Sequence, residues 1–230
     1  MIPIWKKNLD TSYISKLIKK TLNKKNISEG LQTRKLEKEI SKFLKVKYVS
    51  MVPSGTSALL VSMMAMSLRH NDSILIPERS WVSPLNAAAI LGLKIKTIDV
   101  KKMKPILDEK YLLKTKNIKA IIAVHMGGRA AKIDKILKIA KKKNIKVIED
   151  AAQAFGSKYK KKYLGTFSDI GCFSLSMAKT ITSGQGGFIV TNKKKIYEKI
   201  LKIKNNGLQN VLEIKNWGNK GLNFKYTDIL

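Results

Sequence analysis

Apolar residues recur at helical spacing near the start of the chain. Leu36, Ile40, Phe43 and Leu44 fall three or four residues apart, which predicts an amphipathic helix over residues 32–44. Weaker helical spacing lies within residues 1–30, where Gly30 marks a turn. We therefore expect an N-terminal arm and helix over 1–30, followed by a larger unit.

From residue 47 onward, short apolar runs typical of buried strands alternate with longer segments typical of helices. The predicted strands cover residues 47–52, 73–77, 94–100, 119–125, 146–150, 170–176 and 186–192. The predicted helices cover residues 56–68, 83–92, 132–143 and 193–204. This alternation predicts an α/β fold in which helices cover both faces of a mostly parallel central sheet. Such sheets bind ligands at the carboxyl ends of their strands.

The charge of the chain first suggests a nucleic-acid partner. The net charge is +30, from 46 Lys and Arg against 16 Asp and Glu. The lysines are spread along the whole chain, however, and form no basic stripe interleaved with aromatic residues. We therefore expect no nucleic-acid partner; a lysine-biased proteome accounts for the charge, and a positive surface would also attract anionic substrates such as nucleotide diphosphates.

Cysteine content and hydropathy limit the cellular compartment and the kinds of metal or membrane binding that we expect. Cys172 is the only cysteine, so neither an internal disulfide nor a cysteine-based metal cluster can form. The N-terminus has no apolar core of signal-peptide length, and no apolar run approaches transmembrane length. We expect a cytoplasmic protein with no bound metal and no membrane partner.

A lysine and an upstream acid stand out against this background. Lys179 lies between apolar runs, among small residues, where burial would favour a neutral, nucleophilic amine. Asp150 ends a predicted strand and could pair with the pyridinium nitrogen of pyridoxal phosphate (PLP), or could be a helix cap or salt-bridge acid. Glu149 faces the opposite side of that strand, so we expect a structural role for it. A buried lysine with such an acid is what PLP chemistry needs.

The turn Pro53-Ser54-Gly55-Thr56-Ser57 joins a predicted strand to a predicted helix. Gly55 would let the backbone approach a ligand closely, and the neighbouring hydroxyls lie beside the free N–H groups of a helix start. Such a turn can hold a phosphate. An ordinary helix N-cap has the same composition, so the motif alone does not decide.

Three further residues are candidates for the same site. Trp81 could stack on a cofactor ring, or it could be a core or interface tryptophan. Ser174 could donate to a phosphate, or its hydroxyl could be solvated. His125 could contact substrate or cofactor, although a structural histidine with satisfied hydrogen bonds fits equally well.

Together these motifs resemble the DegT/DnrJ/EryC1/StrS family of sugar-nucleotide aminotransferases, which are PLP enzymes of fold type I. The matching segments occur in family order over nearly the whole chain, and residues 147–191 are the most specific. The segments are SEGLQTRKLEKEI, PSGTSAL, PERSWVSPLNAAAILG, the block over 124–192 and GLNFKYTD.

The resemblance implies a role for each matching residue. Lys179 would form the internal aldimine and later move the proton between cofactor and sugar carbons, while Asp150 would hold the pyridinium nitrogen. Trp81 would stack on the ring, and Gln153 would lie against the ring or its phenolic oxygen.

The same resemblance implies how the cofactor phosphate is held. Thr56, Ser57 and Ser174 would bind it within one subunit. Asn223 would reach the cofactor phosphate of a neighbouring subunit, so a homodimer would be needed for a complete site.

The chain departs from the family pattern in two places. Gln185 stands where the family has glutamate, which puts any acid role at that position in doubt. Family members also continue past the position of Leu230 into a small domain. We therefore expect the arm and helix (1–30) and a PLP-binding large domain (31–230), with the small domain absent and the chain apparently truncated.

The resemblance implies transfer of an amino group, with glutamate as the expected donor, to a nucleotide-linked keto-sugar for amino-sugar and surface-polysaccharide synthesis. A branch of the family replaces the lysine with histidine and performs dehydration, and Lys179 argues against that branch. The alternative is a catalytically impaired member that serves as a PLP-binding or assembly protein.

Overall fold

The computed structural model describes residues 10–24, 27–101, 105–208 and 220–229. Its helices are α1 (Thr11–Leu22), α2 (Leu31–Leu44), α3 (Gly55–Ala65), α4 (Ser83–Ile90), α5 (Glu109–Lys114), α6 (Ile133–Lys142) and α7 (Lys194–Lys204). Its strands are β1 (Tyr48–Val52), β2 (Ser73–Pro77), β3 (Lys94–Ile98), β4 (Ala120–Val124), β5 (Lys146–Asp150), β6 (Lys158–Tyr159), β7 (Lys162–Tyr163), β8 (Ile170–Ser174) and β9 (Gly187–Thr191). In the described ranges no helix combines the length and the apolar character needed to cross a membrane.

Seven strands form one sheet in the order β1-β9-β8-β5-β4-β2-β3. The pairs from β8 through β5, β4 and β2 to β3 are parallel. Strand β9 runs antiparallel to both of its neighbours, β1 and β8. The predicted α/β fold with a mostly parallel sheet is therefore confirmed, with the antiparallel pairs confined to one end.

Helices cover both faces of this sheet, as predicted. Alternate residues along each strand point to opposite faces. Ile74, Ile122 and Ile148 pack on one face in a core shared with α3, α4 and α7. Leu75 and Ile121 pack on the other face, which α2, α5 and α6 cover.

Helix α3 ends earlier than the apolar pattern predicts. The prediction ran to residue 68, whereas the helix ends at Ala65. Ser67 adopts a left-handed conformation with φ 55°. The Leu68 N–H donates back to the Met63 carbonyl at 3.1 Å, which closes the last turn although the apolar residues continue.

Two short elements were not predicted. Helix α5 is only 6 residues long, and β6 and β7 form a separate two-stranded hairpin. Lys160 and Lys161 make its turn with φ values of 47° and 64°. Turns of this kind usually contain Asn or Gly, so a run of lysines gives no signal for one.

The N-terminal helix predicted within residues 1–30 is α1. The Asp10 carboxylate caps it by accepting from the Tyr13 N–H at 2.9 Å. The arm predicted before it falls on residues 1–9, which lie outside the described residues.

Helix α2 receives its cap from the far end of the chain. The Asp228 carboxylate accepts hydrogen bonds from the N–H groups of Gly30 (2.9 Å), Gln32 (2.9 Å) and Thr33 (3.0 Å). It also accepts from the Thr33 hydroxyl at 2.6 Å. Burial raises the pKa of the Asp228 carboxyl, but these hydrogen bonds outweigh burial and hold the pKa below its usual value.

We expect Asp228→Ala to lower the free energy of unfolding by about 2 kcal/mol, because it leaves several N–H groups of the first turn of α2 without partners. Urea denaturation followed by circular dichroism measures the loss. Asp10→Ala is the matched control, since Asp10 caps α1 through an exposed bond, and it should cost less than half as much. Equal losses in the two variants would contradict this account.

Candidate functional site

A cavity of about 590 Å³ lies at the carboxyl ends of the parallel strands, where ligands of such sheets bind. This volume is in the range of small-molecule sites. Residues that follow β4, β5 and β8 line it, together with the start of α3. Six of the predicted cofactor residues line the cavity, namely Thr56, Trp81, Asp150, Gln153, Ser174 and Lys179.

The start of α3 forms one wall of the cavity. Ser54 caps the helix, because its hydroxyl oxygen accepts from the Ser57 N–H at 3.0 Å. A Cβ on Gly55 would lie 2.9 Å from the Cβ of Ser174, so only glycine lets α3 and β8 approach this closely. The turn thus caps helix α3 and also allows its start to lie close to β8 beside the cavity.

The Thr56 hydroxyl donates to the Ser83 hydroxyl at 2.9 Å, which joins the starts of α3 and α4 beside the cavity. Ser83, Ser176 and Thr180 also line the cavity, although the sequence analysis did not select them. Ser83 could have been predicted from the sequence, because it is the first residue of a predicted helix that follows a predicted strand.

Two predicted site residues lie outside the cavity lining. The Ser57 hydroxyl is instead 2.9 Å from that of Ser54, within the cap of α3. Asn223 is exposed and pairs through a β-bridge with Asn205. The phosphate-binding role of Ser57 and the cross-subunit role of Asn223 stay predictions.

Asp150 is 6% exposed at the end of β5 and lines the cavity. Burial raises the pKa of this carboxyl, while the hydrogen bond from the Ala152 N–H and the charge of Lys179 act in the opposite direction. The Ala152 N–H donates at 3.0 Å. A cationic group in the cavity would therefore stabilise the Asp150 carboxylate.

Glu149 faces away from the cavity into a closed network, as strand alternation predicts. Its carboxylate accepts from the N–H groups of Gly165 (2.8 Å), Phe167 (2.8 Å) and Ser168 (2.6 Å). Its Oε2 is also 3.0 Å from Nε2 of His125. Burial alone would raise the pKa of Glu149, but the bonds from His125 and from these N–H groups hold it below its usual value.

His125 lines the cavity and links it to this network. Its Nδ1 accepts from the Ala131 N–H at 3.2 Å, so the proton resides on Nε2, which donates to Glu149. Both ring nitrogens are thereby used within the protein. The hydrogen bonds of His125 are therefore those of a structural histidine. Because the ring also lines the cavity, it could in addition contact a bound substrate or cofactor.

We expect Glu149→Gln to lower the free energy of unfolding by about 3 kcal/mol at pH 7, because an amide cannot accept all of these bonds. The contribution of Glu149 is present above the unfolded-state pKa and is lost as pH falls through the lowered folded-state pKa. The difference between wild type and variant in urea denaturation should therefore shrink under strongly acidic conditions. Glu39→Gln, at an exposed glutamate, should change stability by less than about 0.5 kcal/mol.

Lys179 lies in the loop between β8 and β9 and lines the cavity, but it is only partly buried. The burial expected from its apolar neighbours in sequence is only partial, because those neighbours form the strands while the lysine lies on the cavity wall. Its N–H donates to the Ser176 carbonyl at 3.0 Å. Among the lysines that the structure describes, the fully buried one is Lys204, whose Nζ donates to the Ser50 hydroxyl and the Met51 carbonyl.

Trp81 and Gln153 complete the residues around the cavity that the sequence analysis selected. The Trp81 side chain is 69% exposed although it lines the cavity. A bound aromatic ring would cover part of that surface, and the interpretation of Trp81 as a core residue is excluded. Gln153 Oε1 accepts from the Gly127 N–H at 2.9 Å, which orients its amide.

The residues around the cavity fit PLP. The buried Asp150 carboxyl on the cavity wall fits a pyridinium nitrogen, whose positive charge would stabilise the carboxylate. The close approach at Gly55 and the hydroxyls of Thr56 and Ser174 fit a phosphate at a helix start. Lys179 supplies an amine on the same cavity wall.

Comparison with known proteins agrees with this fit. The sequence model described as the DegT/DnrJ/EryC1/StrS aminotransferase family matches residues 9–230. GDP-perosamine synthase of Escherichia coli O157:H7 is 35% identical over 208 residues, which are 88% of this chain and 56% of that protein. The UDP-4-amino-4,6-dideoxy-N-acetyl-beta-L-altrosamine transaminase of Campylobacter jejuni (serotype O:23/36, strain 81-176) is 30% identical over 100% of this chain and 62% of its own length. The chain thus spans about three fifths of the length of these curated relatives.

Solved structures show the same fold. Helicobacter pylori PseC, an aminotransferase involved in the biosynthesis of pseudoaminic acid, superimposes with a TM-score of 0.89 at 27% identity, covering 99% of this chain and 62% of that chain. A GDP-4-keto-6-deoxymannose-3-dehydratase with a trapped PLP-glutamate geminal diamine has a TM-score of 0.89 at 27% identity, covering 100% of this chain and 65% of its own. Aminotransferases and a dehydratase thus share this architecture.

Proposed function

Because this chain belongs to the DegT/DnrJ/EryC1/StrS aminotransferase family, we propose that it carries the PLP-binding part of an enzyme that transfers an amino group to a nucleotide-linked keto-sugar. The observation that carries the proposal is that Lys179 and Asp150 line one cavity at the carboxyl edge of the sheet. The two residues come from different strand ends, and the fold brings them together.

Lys179 is the proposed catalytic amine. Its Nζ would hold the cofactor and would carry a proton to and from the reacting carbon. Its partial exposure supports this role, because the amine reaches the cavity rather than the core. PLP, when bound, supplies the electron sink for the carbanion that forms when that proton is removed.

Asp150 is the proposed partner of the pyridine nitrogen. A proton held on that nitrogen would keep the ring electron-deficient, and its positive charge would stabilise the buried carboxylate. Burial strengthens this pairing, because water does not screen it.

The remaining contacts are proposed from position in the cavity. Trp81 would cover one face of the ring, and Gln153 would lie against the ring or its phenolic oxygen. Thr56 and Ser174 would bind the phosphate beside the start of α3. Ser57 would act mainly through the cap of α3, since its hydroxyl contacts Ser54.

The substrate class is proposed from the relatives. GDP-perosamine synthase and the altrosamine transaminase are named for GDP-linked and UDP-linked sugars, so we propose a nucleotide-linked keto-sugar as acceptor and glutamate as donor. The product would be an amino sugar for surface polysaccharide.

We further propose a cytoplasmic homodimer in which Asn223 contributes to the neighbouring subunit's site. The division of the chain into residues 1–30 and a PLP-binding large domain over 31–230 stays a prediction.

Amino transfer rather than dehydration is proposed because the chain has a lysine at position 179. An amine can carry the nitrogen-exchange chemistry through covalent attachment, which an imidazole at that position would not provide. The dehydratase among the structural neighbours therefore supports the fold and the cofactor but not the reaction.

The test is to incubate the purified protein with PLP and glutamate, and then with GDP-4-keto-6-deoxymannose or a UDP-linked 4-keto sugar. We expect the absorbance of lysine-bound PLP, its loss on addition of glutamate, and formation of an amino sugar with one of the two acceptors.

A dehydrated sugar without nitrogen transfer would overturn the proposed reaction. A folded protein with no PLP absorbance would overturn the proposed cofactor. PLP absorbance that glutamate does not change would favour the alternative role as a PLP-binding or assembly protein.

A further inference from the structure

A buried tyrosine near the end of the described chain contacts the segment that carries Lys179. This segment, residues 175–186, joins β8 to β9 and is here called the lysine loop. The Tyr226 hydroxyl donates to the Ser183 hydroxyl at 2.7 Å. The Ser183 hydroxyl donates in turn to the Gln185 carbonyl at 3.0 Å. Since Gln185 lines the cavity, a chain of hydrogen bonds runs from the core to the cavity wall.

The packing around Tyr226 leaves its hydroxyl little freedom. The residue is 2% exposed within a core that includes Phe173 and Phe188. A Cβ on Gly186 would lie 3.0 Å from Cε2 of Tyr226 and 2.8 Å from the Ser183 hydroxyl, so glycine is needed where the ring meets the loop. Burial raises the pKa of the Tyr226 phenol, which keeps the hydroxyl protonated and a donor.

The lysine loop is closed at its base by backbone hydrogen bonds. The Leu175 N–H donates to the Gly186 carbonyl at 2.8 Å, and the Ser183 N–H donates to the Leu175 carbonyl at 3.1 Å. Lys179 lies inside this closed loop. Ser183 thus takes part in the hydrogen bonds that close the lysine loop and also contacts Tyr226. Restricting the position of the Ser183 hydroxyl therefore restricts the whole loop.

The segment that carries Tyr226 is itself anchored. The Tyr226 carbonyl accepts from the Glu29 N–H at 2.9 Å. Two residues later, Asp228 caps α2 through its carboxylate. The tyrosine hydroxyl is therefore presented to the lysine loop from a support that is joined to the start of α2.

We infer that Tyr226 is a positioning residue, which holds the lysine loop through Ser183 so that Lys179 and Gln185 keep their places in the cavity. Its connection to PLP rests on the proposed function, whereas its action on the loop does not. Tyr226 is not among the residues that line the cavity. Its effect must reach Lys179 through the closed loop.

The test compares Tyr226→Phe and Ser183→Ala with wild type. Tyr226→Phe keeps the buried ring and removes only the donor. Tyr159→Phe is the matched control, because it also removes one tyrosine hydrogen bond, to Asp134 at 3.1 Å, but outside the cavity lining. The first measurement is amide hydrogen exchange of peptides covering 175–187 in the protein without PLP. The second is the pH midpoint of the absorbance of lysine-bound PLP.

We expect exchange in the lysine loop to quicken by roughly three- to tenfold in Tyr226→Phe and Ser183→Ala, and to stay unchanged in Tyr159→Phe. The pH midpoint should shift in the first two variants only. The double variant should show no larger effect than Ser183→Ala, since both changes break one chain of bonds.

Unchanged exchange in the lysine loop of Tyr226→Phe would overturn the inference. Faster exchange throughout the molecule, or an equal effect of Tyr159→Phe on the loop, would overturn it as well, because the effect would then be a general loss of stability. If wild type binds no PLP, the proposed function fails and the exchange result alone decides the positioning role.

Discussion

Replacing Lys179 with alanine is expected to abolish covalent attachment of PLP and to lower the rate of amino transfer by roughly a thousandfold or more. The reason is that one amine would both hold the cofactor and move the proton at the reacting carbon. Lys179 is partly buried in a loop on the cavity wall, so its truncation removes little core packing. The variant should therefore fold, and its melting temperature without PLP should stay within a few degrees of wild type.

The measurement is the absorbance of lysine-bound PLP during titration with the cofactor, followed by an assay of amino transfer. Lys138→Ala is the matched control, because Lys138 is an exposed lysine on α6 that does not line the cavity. It should retain both signals. Covalent attachment that persists in Lys179→Ala would show that another of the many lysines reacts, and would contradict the assignment.

Asp150→Asn is expected to have opposite effects with and without the cofactor. The amide cannot hold a proton on the pyridine nitrogen as a carboxylate does, so amino transfer should fall by roughly a hundredfold. Stabilisation of the fold by PLP should fall as well, because the buried charge pair is lost. Without PLP, however, the variant should melt at a higher temperature than wild type at pH 7, by about 2–4 °C.

The gain follows from the direction of the pKa shift. Burial raises the folded-state pKa of Asp150, so the folded protein holds this proton more tightly than the unfolded chain. The contribution is favourable below the unfolded-state pKa and is lost as pH rises through the raised value. At neutral pH the burial of this ionisable carboxyl therefore costs stability, and asparagine removes that cost.

Thermal denaturation with and without PLP separates the two effects. Asp169→Asn provides the comparison, because Asp169 is a partly exposed carboxylate paired with Lys193 at 2.7 Å. It should give no gain in melting temperature and should leave the stabilisation by PLP intact. A lower melting temperature for cofactor-free Asp150→Asn would contradict the account of its burial.

The elements that the sequence predicted well are those that hydrophobic patterns specify locally. The strand runs at 73–77 and 146–150 match the structure residue for residue, because each is an apolar run between polar turns. The sheet edge at which the cavity lies was also predicted, since parallel strands place their carboxyl ends together.

The remainder depended on contacts between distant segments. Nothing in the pattern of β1 indicates that β9 is its partner, because both are apolar runs and the pairing is settled by packing. The burial of Lys204 could not be predicted either, since it lies among other lysines on α7 and its partners come from β1 and from Glu29. In the same way, the burial expected for Lys179 was inferred from its sequence neighbours, whereas its partial exposure follows from its place on the cavity wall.

The residues of the candidate site show the same difference between local patterns, which the sequence reveals, and distant contacts, which it does not. Asp150 was found because it ends a predicted strand, and the topology places the carboxyl ends of the parallel strands at the cavity. Tyr226 was not, since its contact with Ser183 joins segments that sequence analysis treats separately. The phosphate-binding role of Ser57 stays a prediction, because a hydroxyl at a helix start can serve either a cap or a ligand.

The pairing of β1 with β9 has a consequence for synthesis of the protein on the ribosome. Strand β1 emerges early, yet it forms its hydrogen bonds with the last strand of the sheet. The cap of α2 joins residues 198 positions apart. A nascent chain must therefore keep an apolar edge strand and an uncapped helix unpaired while most of the sheet is translated. Pauses in translation before residue 191 would prolong exposure of β1, which makes that interval the period when chaperones have most to protect.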